Sequence, residues 1–313
     1  MRINRQKKRI IRGFVTSILA IIALVVTIGF LRTRNYHVLD AQGLIAAQQR
    51  DLLYFATALS LIVILPVFVL TWHIVRTYRV DSKRPAKKRP YQPEWDHNHK
   101  LEALWWAIPS VIILALSVVT WTTSHSLDPY KPLEISATAS ANTTGPLDIQ
   151  VVALEWNWLF LYPEQGIATL NHLVVPAGTP LNFKITADAP MNSFWIPQLG
   201  GQVYAMSGMS SKLHLIADQP GTFRGSSANL SGEGYADMNF QTKALNLSDF
   251  NDWVRSATNG KPQLTANTYE ELRKPERGRE AATYLLPDTT LYQSVIDRYM
   301  AHGTTEESHA HDN

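Results

Sequence analysis

The sequence predicts a membrane-anchored all-β protein: helical spans at the N-terminus, a Greek-key β-sandwich, then a short helical extension. Three observations carry that prediction. Long apolar runs are confined to the first third of the 313 residues. From about Pro146 to Leu245 they give way to short alternating runs broken by Gly, Pro and Asn, the rhythm of strands and turns. After Leu245, apolar residues recur at helical spacing.

Three runs reach the roughly 20 residues that a helix needs to cross a bilayer: about Gly13–Leu31, Leu52–Val75 and Leu101–Thr122. Pro66 and Pro109 inside the last two are tolerated in membrane helices. The first run, within residues 1–34, is a signal anchor or a cleavable signal peptide. Phe30-Leu31-Arg32-Thr33-Arg34 offers no small-x-small cleavage site, which favours the anchor. The other two make a helical hairpin within residues 35–125.

Charge orients the spans. Arg2, Arg5, Lys7, Lys8, Arg9 and Arg12 precede the first, and Arg76, Arg79, Lys83, Arg84, Lys87, Lys88, Arg89 and Lys100 separate the second and third. The connection between the first two carries Arg32, Arg34 and Arg50, offset in part by Asp40 and Asp51. Basic residues stay in the cytoplasm, so everything after about Ser124 is expected outside, which in a bacterium is the periplasm.

In the exported domain, residues 146–245, Leu147–Val152, Trp156–Tyr162, His172–Val175, Leu181–Ile185 and Lys212–Ile216 read as strands. Pro163, Pro176-Ala177-Gly178 and Gln219-Pro220-Gly221 read as turns. Pro180 is expected at an edge, where it withholds no ladder hydrogen bond. Residues 246–303 read as helical: Ser248 is the expected cap of Asp249–Thr258, Thr268 that of Tyr269–Arg273, and Leu291–Met300 is a third helix. The polar end, residues 304–313, is expected to be disordered, and His302, His309 and His311 there read as solvated rather than metal-binding.

Composition excludes several functions. The chain has no cysteine, which removes disulfides, thiolate metal sites, a cysteine nucleophile and cysteine lipidation. Lys+Arg total 29 against Asp+Glu 26, and the basic residues flank apolar spans, so they speak for membrane topology and against nucleic acid. No Ser/His/Asp spacing or carboxylate pair supports a hydrolase. Several of the nine Trp end apolar runs, where an indole suits the membrane interface.

Two spans followed by an exported sandwich is the layout of subunit II of the haem-copper respiratory oxidases, and specific segments bear the resemblance. Glu102-Ala103-Leu104-Trp105-Trp106-Ala107-Ile108-Pro109 resembles the family's Glu-x2-Trp-x3-Pro at the same helix start. Glu155-Trp156-Asn157-Trp158-Leu159-Phe160 resembles its aromatic strand. Tyr162–Thr169, Met191–Pro197, Tyr204–Met209 and Tyr299–Gly303 look like the quinol-oxidase branch, and the resemblance covers about Asp40 to Gly303.

The resemblance implies a cupredoxin-like domain that has lost its copper. Where the cytochrome c oxidase branch has Cys-x3-Cys-x3-His-x2-Met and an earlier His, this chain has Ser227, Ser231, Tyr235 and Met238, with Asn192 at the earlier position. Two coppers sharing an electron need bridging thiolates, and hydroxyls do not replace them at neutral pH. No cofactor is therefore expected in this chain, and no soluble cytochrome c as donor. The resemblance further implies that ubiquinol oxidation, the haems, the copper and oxygen reduction belong to partner subunit I. Small membrane subunits and lipid are the other implied partners, and the complex is a proton-translocating one. This chain is left to support assembly, cap subunit I and supply Glu102 at the mouth of a proton channel. An interfacial carboxylate paired with Lys100 is the plainer reading of Glu102, and a free-standing membrane-tethered cupredoxin-like binding protein is the alternative for the whole chain.

Overall fold

The computed structural model describes residues 29, 36–78, 94, 96–133 and 145–306, the last six by backbone alone. The first apolar run apart from Gly29, most of the basic loop after Arg76, Glu134 and residues 307–313 lie outside the described residues. The chain divides into Met1–Asp40 and Ala41–Asn313. In the former, a turn at 36–40 is closed by the Leu39 amide donating to the Tyr36 carbonyl, 2.8 Å. Everything below belongs to the latter.

Among the described residues, two long helices come first: α1, Leu44–Tyr78, and α2, His99–Ser126. Both are long and apolar enough to cross a membrane. At about 1.5 Å per residue, α1 is roughly 50 Å long, more than the ~30 Å of a hydrocarbon core. It starts eight residues before Leu52, where the apolar run begins, because helical hydrogen bonding does not stop where hydropathy falls. The extra turns are docked on the sandwich. Gln42 N–H donates to Gln198 O (2.7 Å), Asp218 N–H to Gln42 O (3.0 Å) and Ala46 N–H to Leu199 O (3.2 Å), the last satisfying an amide that a helix start leaves open. Gly201 N–H adds a bond to Gln49 Oε1 at 3.2 Å. Gly43 permits this approach, since a Cβ there would stand 2.3 Å from the Ile216 carbonyl oxygen.

Eleven strands follow: β1 Leu147–Leu154, β2 Asn157–Tyr162, β3 Ile167–Leu170, β4 His172–Pro176, β5 Pro180–Ala187, β6 Asn192–Trp195, β7 Gln202–Ala205, β8 Ser211–Ile216, β9 Gly221–Ser227, β10 Asn239–Leu245 and β11 Ala282–Leu285. They form a six-stranded sheet, β11-β3-β2-β1-β5-β8, against a five-stranded one, β4-β10-β9-β6-β7. Parallel pairing of β1 with β5 and of β10 with β4 marks the crossovers that make it a Greek-key sandwich. Pro180 opens an interior strand rather than an edge, tolerated because it is the first residue of β5.

The burial pattern explains the sequence pattern. Ile149, Val151, Trp158, Phe160 and Tyr162 point into the core between the sheets. Their neighbours Val152, Leu154, Leu159 and Leu161 point the other way, into a second core with Leu264, Tyr269, Leu272, Leu286, Tyr292, Val295 and Ile296. A strand buried on both faces reads as a continuous apolar run, as β2 does.

That second core is the work of the C-terminal extension. Its helices are α3 Leu247–Ala257, α4 Ala266–Arg273 and α5 Leu291–Glu306. Thr265 rather than Thr268 caps α4, its hydroxyl accepting from Thr268 N–H at 3.2 Å. Asn246 rather than Ser248 stands at the cap of α3. The extension is not wholly helical: β11 pairs with β3, Leu285 opposite Ile167, and extends the larger sheet. The final helix runs through Glu306, three residues into the stretch expected to be disordered.

Candidate functional site

Of the five positions of the expected lost copper site, Asn192 and Ser227 are brought into direct contact, and Ser227 N–H donates to the Met238 carbonyl at 3.1 Å. Asn192 opens β6, Ser227 closes β9, and β6 pairs with β9 with Phe194 opposite Ser227. The intervening segment to β10 holds Ser231, a single 3-10 turn at Tyr235–Asp237, and Met238. Ser227 Oγ donates to Asn192 Oδ1 at 3.0 Å, and Asn192 Nδ2 donates to the Pro190 carbonyl at 2.8 Å. Both residues are buried, and the two strands are thereby cross-linked by a neutral hydrogen bond. Met238 is buried in the inter-sheet core, so its thioether is a packed apolar group.

A copper pair does not fit these donors. An amide and a hydroxyl that satisfy each other, a second hydroxyl, a phenol and a core thioether provide no anionic soft bridge. Among the described residues, no three His, Cys, Asp or Glu side chains are grouped as a metal-holding set.

The tryptophans of the aromatic strand part company. Trp158 is fully buried between the sheets, edge-on to Phe194 and Phe240 at 5.4 and 5.9 Å, a core anchor. Trp156 sits in the β1–β2 turn at φ 62°, a left-handed conformation that is unusual for a bulky residue. Its Nε1 donates to the Ser231 carbonyl at 2.9 Å. Its ring lies so close to Gly234 that a Cβ there would stand 2.2 Å from Trp156 Cδ2.

A second cluster escaped sequence reasoning. The Asp188 side chain is fully enclosed. It accepts from Tyr269 OH and Tyr299 OH, each at 2.6 Å, and from Arg273 Nη2 and Arg298 Nη1, each at 3.2 Å. Arg273 Nε also lies 2.7 Å from Oδ2, off the hydrogen-bond direction. Glu270 on the outside pairs with both arginines, whose hydrogen bonds, Arg273's first, hold its carboxyl below its ordinary range. Burial, reinforced by the Asp188 charge, raises the Tyr269 hydroxyl, and burial with the Asp188 hydrogen bond raises that of Tyr299, so both remain donors. The partners lie 81 to 111 residues from Asp188, and no local pattern announces such a cluster.

At the other end of the hairpin, Asn98 caps α2, its side chain accepting from Lys100 and Leu101 N–H. Glu102 falls in the first turn, where the helix dipole favours a carboxylate. Its partner is His99, Nδ1 to Oε2 at 3.2 Å, rather than Lys100. His97 pairs with Asp96 at 2.6 Å and its ring lies 5.0 Å from that of His99.

Two long apolar helices followed by a two-sheet Greek-key domain define a cupredoxin-like protein with membrane-capable helices. The family described as cytochrome c oxidase subunit II, periplasmic domain, matches residues 164–245. The chain is 43% identical over 275 residues to the cytochrome bo(3) ubiquinol oxidase subunit 2 of Pseudomonas putida, covering 88% of this chain and 84% of that one. It is 44% identical over 263 residues to the ubiquinol oxidase subunit 2 of Acetobacter aceti, covering 84% and 82%. Among solved structures, the periplasmic domain of subunit II of the cytochrome oxidase of Bradyrhizobium japonicum aligns with 36% of this chain and 94% of its own length, at 22% identity and a TM-score of 0.35. The chain belongs to the subunit II family of the haem-copper respiratory oxidases, in its quinol-oxidase branch.

Proposed function

We propose that this chain is the non-redox second subunit of a proton-translocating terminal ubiquinol oxidase in the bacterial cytoplasmic membrane, with its sandwich in the periplasm. Subunit I carries the haems and copper, oxidises quinol and reduces oxygen to water. This chain carries no cofactor of its own: it caps subunit I on the exported side, supports assembly and contributes Glu102 at the cytoplasmic mouth of a proton channel. The observation that carries the reading is the donor set at Asn192, Ser227, Ser231, Tyr235 and Met238. With Ser227 and Asn192 bonded to each other, the domain offers an electron no place to stop, so a soluble donor has no use for it. A quinol donor, arriving through the membrane, needs no such relay.

The two helices support a membrane partner. No residue of α2 is buried among the described residues, and Trp105, Trp106, Val111, Leu114 and Trp121 are all exposed. A free-standing tethered binding protein leaves Glu102-x2-Trp105-x3-Pro109 without a role. Glu102, part-exposed and hydrogen-bonded to His99 at 3.2 Å, stands where a carboxylate can exchange a proton with an aqueous surface.

The test is mild-detergent purification of the tagged full chain from its own membranes, read by haem spectrum, metal content and quinol-dependent oxygen uptake. Co-purifying haem with quinol oxidase activity is the expected result. A haem-free single chain, or a stoichiometric copper centre assigned to this chain, overturns the reading. Glu102→Ala should slow oxygen uptake several-fold while the complex remains assembled, and unchanged turnover would remove the proton role alone.

A further inference from the structure

The segments that bring Asn192 and Ser227–Met238 together are distant in sequence and lack a common strand beyond the short β6–β9 pairing. Yet both are tied to the same third party, the C-terminal extension. Asp188, four residues before Asn192, is gripped by Tyr269 and Arg273 from α4 and by Arg298 and Tyr299 from α5. These are charge-assisted bonds to an enclosed carboxylate, the strong class. On the other side, the stretch between α4 and β11 reaches the β1–β2 turn. Buried Asn157 donates through Nδ2 to the Glu276 carbonyl at 2.9 Å, and Asn171 Nδ2 donates to the Arg279 carbonyl at 3.0 Å and to Asn157 Oδ1 at 2.8 Å. That turn carries Trp156, whose indole holds Ser231 and Gly234. Arg277 completes the path, its guanidinium 5.7 Å from the Trp156 ring centroid and ion-paired with Glu233 in the loop itself.

We propose that residues 262–300 act as a strap that positions the loop Ser227–Met238 and the Asp188–Asn192 segment, the positioning task that a bound metal would otherwise perform. The proposal rests on the reading of these positions as vacated ligand sites only for that comparison. The strap itself stands on the hydrogen bonds. The left-handed Trp156 fits it. A strained backbone persists where the surroundings over-determine it, and here the loop on one side and the extension on the other do so. Because the exposed Arg277–Glu233 pair is of the weak kind, the extension's share of the hold comes mainly through Asp188 and through Asn157 and Asn171, beside the direct bonds of Ala228 N–H to Ser193 O and Asn229 Nδ2 to Met191 O.

The experiment is hydrogen–deuterium exchange on the assembled complex, since local opening free energies are read directly from protection. Asp188→Asn should raise exchange about tenfold in residues 266–273 and 291–300, and by a similar factor in 188–192 and 227–238. Arg277→Ala, a change at a half-exposed residue that leaves the fold intact, should raise exchange two- to five-fold in 228–234 and leave 188–192 unchanged. Loosened helices with the loop at its original exchange in Asp188→Asn would overturn the strap, as would an unchanged loop in Arg277→Ala. Should Asp188→Asn fail to assemble, Arg298→Ala at a partly exposed position replaces it, with the same pattern expected at smaller amplitude and an unaltered loop again refuting the proposal. A search of the unaltered complex for a copper centre assigned to this chain, distinct from the copper of subunit I, tests the vacated-site reading separately, and finding one would refute that reading.

Discussion

Gly43→Ala should detach the start of α1 from the sandwich without unfolding either. The added Cβ lies 2.3 Å from the Ile216 carbonyl oxygen and 3.2 Å from that of Leu199. Both neighbours are backbone and cannot rotate aside. Restoring an ordinary carbon–oxygen contact requires a shift of about 1 Å, enough to break bonds whose useful range ends near 3.2 Å. Three bonds cluster there: Gln42 N–H to Gln198 O, Asp218 N–H to Gln42 O, and Ala46 N–H to Leu199 O. At about 1 kcal/mol net each, their loss comes to about 3 kcal/mol, or about a hundredfold increase in local opening. Amide exchange of residues 42–49 in the detergent-solubilised full chain reads this directly. Gly166→Ala is the control: it is also a glycine substitution, at φ 65° with open space around it, and should leave residues 42–49 unchanged. Exchange of that segment within threefold of the original in Gly43→Ala would refute the packing account of the junction.

Two further outcomes follow from buried groups in the sandwich. Tyr162 OH donates to the Val174 carbonyl at 3.0 Å and accepts from Val174 N–H at 2.9 Å, fastening β2 in one sheet to β4 in the other. Tyr162→Phe strands both backbone groups and should cost about 1–3 kcal/mol, seen as a melting temperature lower by roughly 2–10 °C. His172 has its pKa lowered by burial first and by Lys243 and Lys261 in addition, against the opposing hydrogen bond to the Leu170 carbonyl. Its neutral form, assigned with the proton on Nδ1, also meets Thr283 Oγ1 from β11 at 3.2 Å. The unfolded chain takes up this proton near pH 6.5 and the folded one only at lower pH. The stabilising contribution is therefore full above about pH 6.5 and is lost as pH falls through the lowered folded value. Urea midpoints at pH 7.5 and 5.5 should differ less in His172→Gln than in the unaltered protein, and equal differences would exclude His172 as the source.

The physics that makes a feature local also makes it legible. Spans two and three, the β1, β2, β4, β5 and β8 segments and the helices after Leu245 all follow from periodicity and punctuation within a dozen residues. β9, Gly-Thr-Phe-Arg-Gly-Ser-Ser, has little apolar content. It is a strand because β10 and β6 flank it. β11 was invisible for a similar reason: its four residues are half-buried and pair with β3, more than a hundred residues away in sequence. Trp156 reads as the first residue of a strand, yet the two-residue turn between Leu154 and Asn157 places it in the left-handed region. For the expected lost copper site, the sequence offers five separate positions, and only structure reveals that Ser227 and Asn192 are bonded to each other. Asp188 was passed over because its meaning lies wholly in four partners from another part of the chain.

The double burial of β2 and β1 has a temporal consequence. Leu159, Leu161, Val152 and Leu154 are covered by residues from Leu264 to Ile296, a stretch synthesised after the strands it covers. Until that stretch is in place, the larger sheet presents an apolar outer face and an open β3 edge, a surface prone to self-association. Completion of the sandwich is thus tied to the stretch from Leu264 to Ile296, and a chain interrupted before it by a stop codon or a protease would be marked for clearance by that uncovered face.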